Sequence, residues 1–331
     1  MILIFSARIR SLMLPSNDLE EQVIKAYQLR SQNIQQIYNG VNKVFRITTN
    51  DKNLTLKIFN KNTTTEDNIS FERKLTAYLG LHAINCSEPI LPPSEREKIY
   101  TFDQEHYYGI LSQEVVGERY SGDNNQHDFM FGQALRRLHS CPVPTFRKQN
   151  PSRNDILNFS LDLGHPIRCP YKDELRKTIT QLSNHLKSQD TPYIKATSHG
   201  ICHGDAWPGN ALYSGNSCSL IDFEHATISD PAMDIATYVW WLTDCNQCKG
   251  QPLVSWNAFA KGYGDSIERL ITPSTPALIK INQLRSLAFL YRHIALNEEI
   301  LEYVQRQTSA LMQRLEPTNS KAQLIVSLWG H

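Results

Sequence analysis

The regular pattern begins at Asn17-Asp18-Leu19-Glu20, where Asn17 and Glu20 have capping-box spacing and Leu19, Val23, Ala26 and Tyr27 follow at helical intervals. From Gln35 the period shortens. Val44–Thr48 and Leu54–Phe59 are β-rich runs joined by Asn50-Asp51-Lys52-Asn53, a composition suited to a hairpin turn. Leu54, Leu56 and Ile58 alternate with Thr55, Lys57 and Phe59, so Lys57 lies on the face opposite Leu56. A helix carrying Glu72 is predicted over about 68–79, and Tyr107–Val116, closed by Gly117, is a further β-rich stretch. The pattern then turns helical: Met130, Ala134 and Leu138 recur every four residues beside Phe131 and Leu135, and Leu175, Ile179, Leu182 and Leu186 restore that spacing. Residues 142–170, with five prolines, read as loop. Helices are predicted at about 232–243, 254–262, 276–295 and 297–315, with no internal repeat along the chain.

A β-rich block followed by an α-rich block implies an α+β fold with two lobes. The division is an N-terminal extension over 1–16, a β-rich N-lobe over 17–113, and a larger, mainly helical C-lobe over 114–331, hinged near 113–117. Length alone leaves one or two domains open.

Composition narrows the function. Of 331 residues 40% are apolar and 20% charged, and 34 basic against 33 acidic side chains leave a net charge of +1. That balance gives no electrostatic case for nucleic acid or an anionic membrane. Arg8 and Arg10 interrupt the opening apolar run, which argues against an export signal, and Met13 is an alternative start. No run approaches the ~20 apolar residues of a membrane span. Seven scattered cysteines fit reduced thiols in the cytoplasm, and Cys245-Asn-Gln-Cys248 lacks the second pair that a zinc site requires.

The chemistry concentrates at His203-Gly-Asp205-Ala-Trp-Pro-Gly-Asn210, which precedes a short apolar hairpin and Ile221-Asp222. Take Ala211–Tyr213 and Cys218–Ile221 as strands joined by the four-residue loop Ser214–Ser217; 213 then pairs with 218 and 210 with 221. Asn210 and Asp222 reach the same edge of the ribbon, with Asp205 in the loop beside them. Two carboxylates and an amide oxygen in one place require a compensating cation or proton, and Mg2+ with phosphate suits such an oxygen site. Singly these residues are ordinary turn formers. Together they point to phosphoryl transfer.

The pattern His203-Gly-Asp205 to Asn210, Leu220-Ile-Asp222 and Ser229-Asp230-Pro-Ala-Met-Asp234 resembles the aminoglycoside phosphotransferase/choline kinase family of protein-kinase-like small-molecule kinases. The resemblance extends upstream. Tyr38-Asn-Gly40-Val-Asn42-Lys-Val-Phe-Arg46 is similar to the nucleotide loop, Leu54-Thr-Leu-Lys57 to the lysine strand, and Phe71-Glu72 to the helix glutamate. Ile110-Leu-Ser-Gln113-Glu-Val115-Val-Gly117 resembles the hinge, and Gly132–His139 the helix after it. Ser229 stands where the family often has glycine, and the nucleotide loop has one glycine.

This resemblance implies a protein-kinase-like two-lobed fold and transfer of the γ-phosphate of ATP, with Mg2+, to a hydroxyl of a small aminoglycoside-, choline- or sugar-like molecule. In it Asp205 is the base, Asn210 and Asp222 hold the metal, and Lys57, held by Glu72, pairs with the α- and β-phosphates. Gly40, Asn42, Gln113 and Val115 line the nucleotide site; His203, Asp230 and Asp234 support the loop. Trp207 either stacks on the acceptor or anchors packing, whereas Trp240 and Trp241 read as core. Glu224, Asp244, Glu298 and Glu299 read as solvated surface. The alternatives are a Ser/Thr protein kinase of the bacterial stress-response type and a non-catalytic nucleotide-binding regulator, with a metal-dependent hydrolase last. Only seven residues separate Asp222 from Asp230, which leaves no peptide-docking segment and favours a small acceptor.

Overall fold

The computed structural model describes residues 22, 24–29, 31–60, 64–91, 100–102, 107–122, 124–146, 170–188, 199–243 and 251–315. Five strands form the N-terminal sheet: β1 (Ser31–Asn39), β2 (Lys43–Thr49), β3 (Asn53–Asn60), β4 (Tyr100–Phe102) and β5 (Tyr107–Gln113). All pairings are antiparallel, in the order β1-β2-β3-β5-β4. The alternation read from the sequence is the one used. Leu54, Leu56 and Ile58 bury their side chains with Ile47 and Leu111, while Lys57, on the other face, stands opposite Val44 and Ile110. On that face lies α1 (Glu66–Leu81), started by Thr65, whose hydroxyl accepts from the Asn68 amide. Its Ile69 packs with Phe59 and Ile110, and Glu72 is buried beneath Lys57.

The chain leaves β5 along an extended segment that pairs with the C-terminal half. Glu118 exchanges backbone bonds with Tyr213 at 2.8 and 3.0 Å. A Cβ on Gly117 would lie 2.8 Å from the Tyr213 carbonyl oxygen, so a glycine permits that approach. Four further helices surround a short β layer: α2 (Asn125–Ser140), α3 (Lys172–Ser188), α4 (Ala232–Leu242) and α5 (Pro252–Tyr263). They are completed by α6 (Thr275–His293) and α7 (Glu298–Arg314). The β layer holds two two-stranded ribbons, β6 (Gly200–Cys202) with β9 (Thr227–Ser229), and β7 (Ala211–Ser214) with β8 (Ser217–Leu220). One apolar core joins these helices to α1 through Phe71, Leu75 and Leu79. Trp240 and Trp241 are buried in it, and the Trp240 indole donates to Gln283 Oε1. The buried Lys172 ammonium caps the end of α6 by donating to the Leu290, Tyr291 and Ile294 carbonyls.

The fold is therefore α+β with a small antiparallel N-lobe and a larger helical C-lobe. Several elements differ from expectation, the short strand β4 among them. β1 is an extra edge strand of mostly polar residues, which carry no alternating signal. β6 and β9 are three-residue strands between buried layers, too short to show a period. The β7–β8 register is as expected, with Tyr213 opposite Cys218, but Ser214 also pairs with Ser217, so the loop is only Gly215-Asn216. Gly215 takes φ +55, the left-handed geometry of a two-residue turn. The capping box at 17–20, the extension over 1–16, residues 147–169 and the Cys245/Cys248 pair lie outside the described residues. No helix among the described residues is long and apolar enough to cross a membrane.

Candidate active site

A buried aspartate organises the loop after β6. Asp234, in the first turn of α4, accepts from the His203 amide at 2.6 Å, the Gly204 amide at 2.9 Å and His139 Nε2 at 3.0 Å. Burial opposes its charge, but the bond to His139, the nearby imidazoles and the Gly204 amide outweigh this and hold the Asp234 carboxyl below its ordinary range. His139 Nδ1 meets the Tyr263 hydroxyl at 2.8 Å, so both ring nitrogens are engaged. Cys202 also approaches His139 and Asp234, and burial, followed by Asp234 and Asp230, raises its thiol well above the usual range. His203 is fully buried, and its Nε2 donates to the Ile221 carbonyl at 2.9 Å, which ties the loop to the residue before Asp222. Gly204 has φ +78, and a Cβ there would sit 1.9 Å from the His225 carbonyl oxygen. Asp230 Oδ1 accepts from the Ala232 amide at 2.9 Å, at the start of α4.

On this support Asp205 and Asn210 face each other. Asn210, at the end of a 3-10 turn over Pro208–Asn210, donates from Nδ2 to Asp205 Oδ2 at 2.8 Å and to the Asp205 carbonyl at 2.9 Å. Trp207 Nε1 donates to the same Oδ2 at 3.3 Å, so the indole orients Asp205. With its amide hydrogens turned to Asp205, Asn210 keeps Oδ1 as a free-standing acceptor among the described residues. The Ile221 amide donates to the Asn210 carbonyl at 3.0 Å, the 210–221 pairing read from the sequence.

Asp222 follows, in the left-handed region at φ 66 and ψ 62. Its Oδ1 lies 2.5 Å from Lys57 Nζ, which also meets Glu72 Oε1 at 3.1 Å and Glu224 Oε2 at 3.7 Å. Glu224 Oε2 accepts in turn from Asn42 Nδ2 at 2.6 Å. Burial alone would favour the neutral amine of Lys57; the surrounding carboxylates of Asp222, Glu72 and Glu224 reverse this and raise its pKa. Glu72 is pushed up to about 7 by burial, with Asp222 and Glu224 adding to the effect and Lys57 opposing it. Asp222 is held below the usual range, since Lys57 overrides the cost of its desolvation. Three carboxyl groups thus surround one ammonium, and acidic groups outnumber the cation.

The sequence-predicted residues thus fall into two linked groups, Lys57, Glu72, Asn42 and Asp222 in one, and Asp205, Asn210, His203 and Asp234 in the other. Gly40 lies at the β1–β2 turn, its amide bonded to the Asn42 carbonyl at 3.1 Å. Gln113 and Val115 sit at the exit of β5; the Gln113 amide is bonded to the Glu88 carbonyl, and neither residue bonds to the two groups. One expectation is corrected: Glu224 is not solvated surface, because its side chain is 17% exposed and bridges Asn42 and Lys57. Glu298 and Glu299 are exposed, as read, and Asp244 lies outside the described residues. Sequence reasoning also missed Arg285 of α6, whose Nη1 donates to the Gly204 carbonyl at 2.9 Å. Glu224 had a signal in its place two residues beyond Asp222. Arg285 had none.

The comparisons with known proteins agree with this geometry. The model of the phosphotransferase enzyme family matches residues 33–251. No curated protein matches the chain. The fold is similar to that of an amicoumacin kinase in complex with AMP-PNP, Ca2+ and Ami, at 14% identity, covering 93% of this chain and 96% of that one, with a TM-score of 0.68. It is also similar to a microcompartment-associated aminopropanol kinase at 15% identity, covering 91% and 99%, with a TM-score of 0.66. A ternary complex of the aminoglycoside phosphotransferase APH(4)-Ia with ADP and hygromycin B is similar at 13% identity, covering 89% and 98%, with a TM-score of 0.63.

Proposed function

The chain belongs to the phosphotransferase enzyme family, and from that premise we propose that it moves the γ-phosphate of ATP to a hydroxyl of a small molecule, with Mg2+ as cofactor and Asp205 as base. The observation that carries this reading is the pair of linked networks: Lys57 bonded to Glu72 and Asp222, and Asn210 bonded to Asp205. They supply a phosphate-directed cation, a metal carboxylate and an oriented base, the parts phosphoryl transfer requires.

Asp205 accepts the proton of the acceptor hydroxyl as its oxygen bonds to the γ-phosphorus, while the bond from that phosphorus to the β–γ bridging oxygen breaks and ADP leaves. Asn210 and Trp207 hold Asp205 Oδ2, which leaves Oδ1 to meet the hydroxyl. Lys57 neutralises phosphate charge and is aimed by Glu72. The donor set fits a hard divalent cation: the Asp222 carboxylate, the Asn210 Oδ1 left over by its bond to Asp205, and more carboxyl groups than cations around Lys57. When bound, Mg2+ would be held by Asp222 and Asn210 and would neutralise charge on the phosphate oxygens. His203, Asp230 and Asp234 support the loop, and Gly40, Asn42, Gln113 and Val115 border the nucleotide.

A small acceptor is favoured over a protein one because the chain from Asp222 to Asp230 is only a 3-10 turn and β9. Titration of ATP by calorimetry, with and without Mg2+, tests the site. Tight binding that requires Mg2+ and is lost in Asp222→Ala is expected. Equal affinity with and without the metal, unchanged in the variant, would remove the assignment.

A further inference from the structure

Two arginines grip the catalytic loop from its own backbone. Arg285, half-buried on α6, donates from Nη1 to the Gly204 carbonyl at 2.9 Å and to Asn282 Oδ1 at 3.4 Å. Arg119, on the segment after β5, donates from Nη1 to the Gly209 carbonyl at 3.4 Å. Gly204 immediately precedes Asp205, and Gly209 immediately precedes Asn210. Neither guanidinium forms an ion pair among the described residues. A guanidinium has five N–H donors, and both bonds of Arg285 come from Nη1, so Nε and Nη2 remain for a ligand.

A half-buried cation with no counter-ion is unfavourable on its own, and an anion would relieve it. The nucleotide's phosphates are served from the N-lobe by Lys57. Arg285 instead projects from a C-lobe helix to the loop beside the base, where the acceptor must sit to give up its proton. One turn further along α6, on the same face, Phe289 is 41% exposed, and its ring lies 5.0 Å from that of His293. Burial pushes His293 down to about 4, so this aromatic pair is neutral at physiological pH. Of the acidic groups that could receive a cationic acceptor, Glu224 lies within electrostatic reach of His293 but its carboxylate is engaged by Asn42 and Lys57, and Glu298 and Glu299 are solvated on α7.

We propose that the acceptor is an anionic hydroxyl compound, carrying a carboxylate or phosphate that Arg285 and Arg119 read and an apolar body that lies along Phe289. The proposal rests on the phosphotransferase reading and deepens it. Turnover is measured on wild-type protein with Mg-ATP and a panel graded by charge: hydroxy acids and phosphorylated alcohols, neutral diols and sugars, and amino alcohols and aminoglycosides. A matched trio, 4-(hydroxymethyl)benzoate, its amide and 4-(hydroxymethyl)benzylamine, is included. Preference for anionic members by tenfold or more in kcat/KM is expected. Turnover confined to neutral or cationic members, or of none, overturns the proposal.

Arg285→Gln should raise KM for the anionic acceptor tenfold or more, collapse the anionic-to-neutral preference towards one, and leave KM for Mg-ATP unchanged; Arg285→Lys should restore part of the preference. An equal loss for anionic and neutral acceptors would assign Arg285 to loop support, and a rise in KM for Mg-ATP would assign it to the γ-phosphate; either overturns the proposal. Calorimetry with Mg-ATP on the same samples separates the two levels. Absent nucleotide binding sinks the phosphotransferase reading itself, whereas nucleotide binding with the wrong charge preference sinks only this inference.

Discussion

Replacing Asp234 with alanine removes the one acceptor shared by the His203 and Gly204 amides and His139 Nε2, at 2.6, 2.9 and 3.0 Å. Three charge-assisted bonds at roughly 1.5–3 kcal/mol each would total about 5–9 kcal/mol. That sum overcounts, because removal of the carboxylate also removes its own desolvation cost. The three buried donors left without an acceptor cost about 1–3 kcal/mol each, and net of the carboxylate's own desolvation a loss of about 3–5 kcal/mol is expected. For a chain of this size roughly 2 °C accompanies each kcal/mol, so Tm should fall by about 6–10 °C. Urea midpoints of wild type, Asp234→Ala and Asp234→Asn measure it, the asparagine variant falling between because it keeps one acceptor oxygen. Since the folded pKa of Asp234 lies below its unfolded value of about 3.9, its contribution is fully present above that pH and is lost as pH falls through the folded pKa. The gap between wild type and Asp234→Ala should therefore close only in acid. A loss no larger than the ~0.5 kcal/mol of a surface substitution, or a gap that closes towards alkaline pH, would refute the reasoning.

Asp205→Asn should bind Mg-ATP normally while kcat falls about 10²–10⁴-fold; near-normal turnover would make the aspartate structural. Gly204→Ala places a Cβ 1.9 Å from the His225 carbonyl in a left-handed conformation, so loss of soluble protein or a Tm fall larger than that of Gly215→Ala, which meets nothing within 4 Å, is expected by thermal scanning. Glu224→Ala frees Asn42 and takes one carboxylate from Lys57, which should change KM for Mg-ATP more than KM for the acceptor. Glu72, pushed up to about 7 from an unfolded value of about 4.3, holds its proton in the folded state over a range where the unfolded chain has lost it. Wild-type stability relative to Glu72→Gln should therefore decline as pH rises through that window, and denaturation at several pH values would expose a slope of the opposite sign.

The strongest signals in the chain were local ones. The alternation of Leu54, Leu56 and Ile58 and the four-residue recurrence of Met130, Ala134 and Leu138 match the buried faces, because one-sided burial imprints its period on neighbouring positions. The catalytic loop was legible for a related reason: Asp205, Asn210 and Asp222 are joined by a short hairpin, so their spacing alone implied the pairing of 210 with 221. Polar β1 and the three-residue strands β6 and β9 offered no such period, and their pairing depends on layers supplied from elsewhere. Long-range partners were likewise beyond local reasoning. Asn42 and Glu224 are separated by 182 residues, and Arg285 and Gly204 by 81. The sequence by itself determined the periodic strands and helices and pointed to the residues proposed for phosphoryl chemistry, since both depend on short-range spacing. Only the tertiary structure decided that Glu224 joins the lysine network, that His139 reaches Asp234 beneath the loop, and that Arg285, which forms no ion pair among the described residues, bonds to the loop beside Asp205. Those facts arise from the docking of separate elements, and chain spacing carries no record of it.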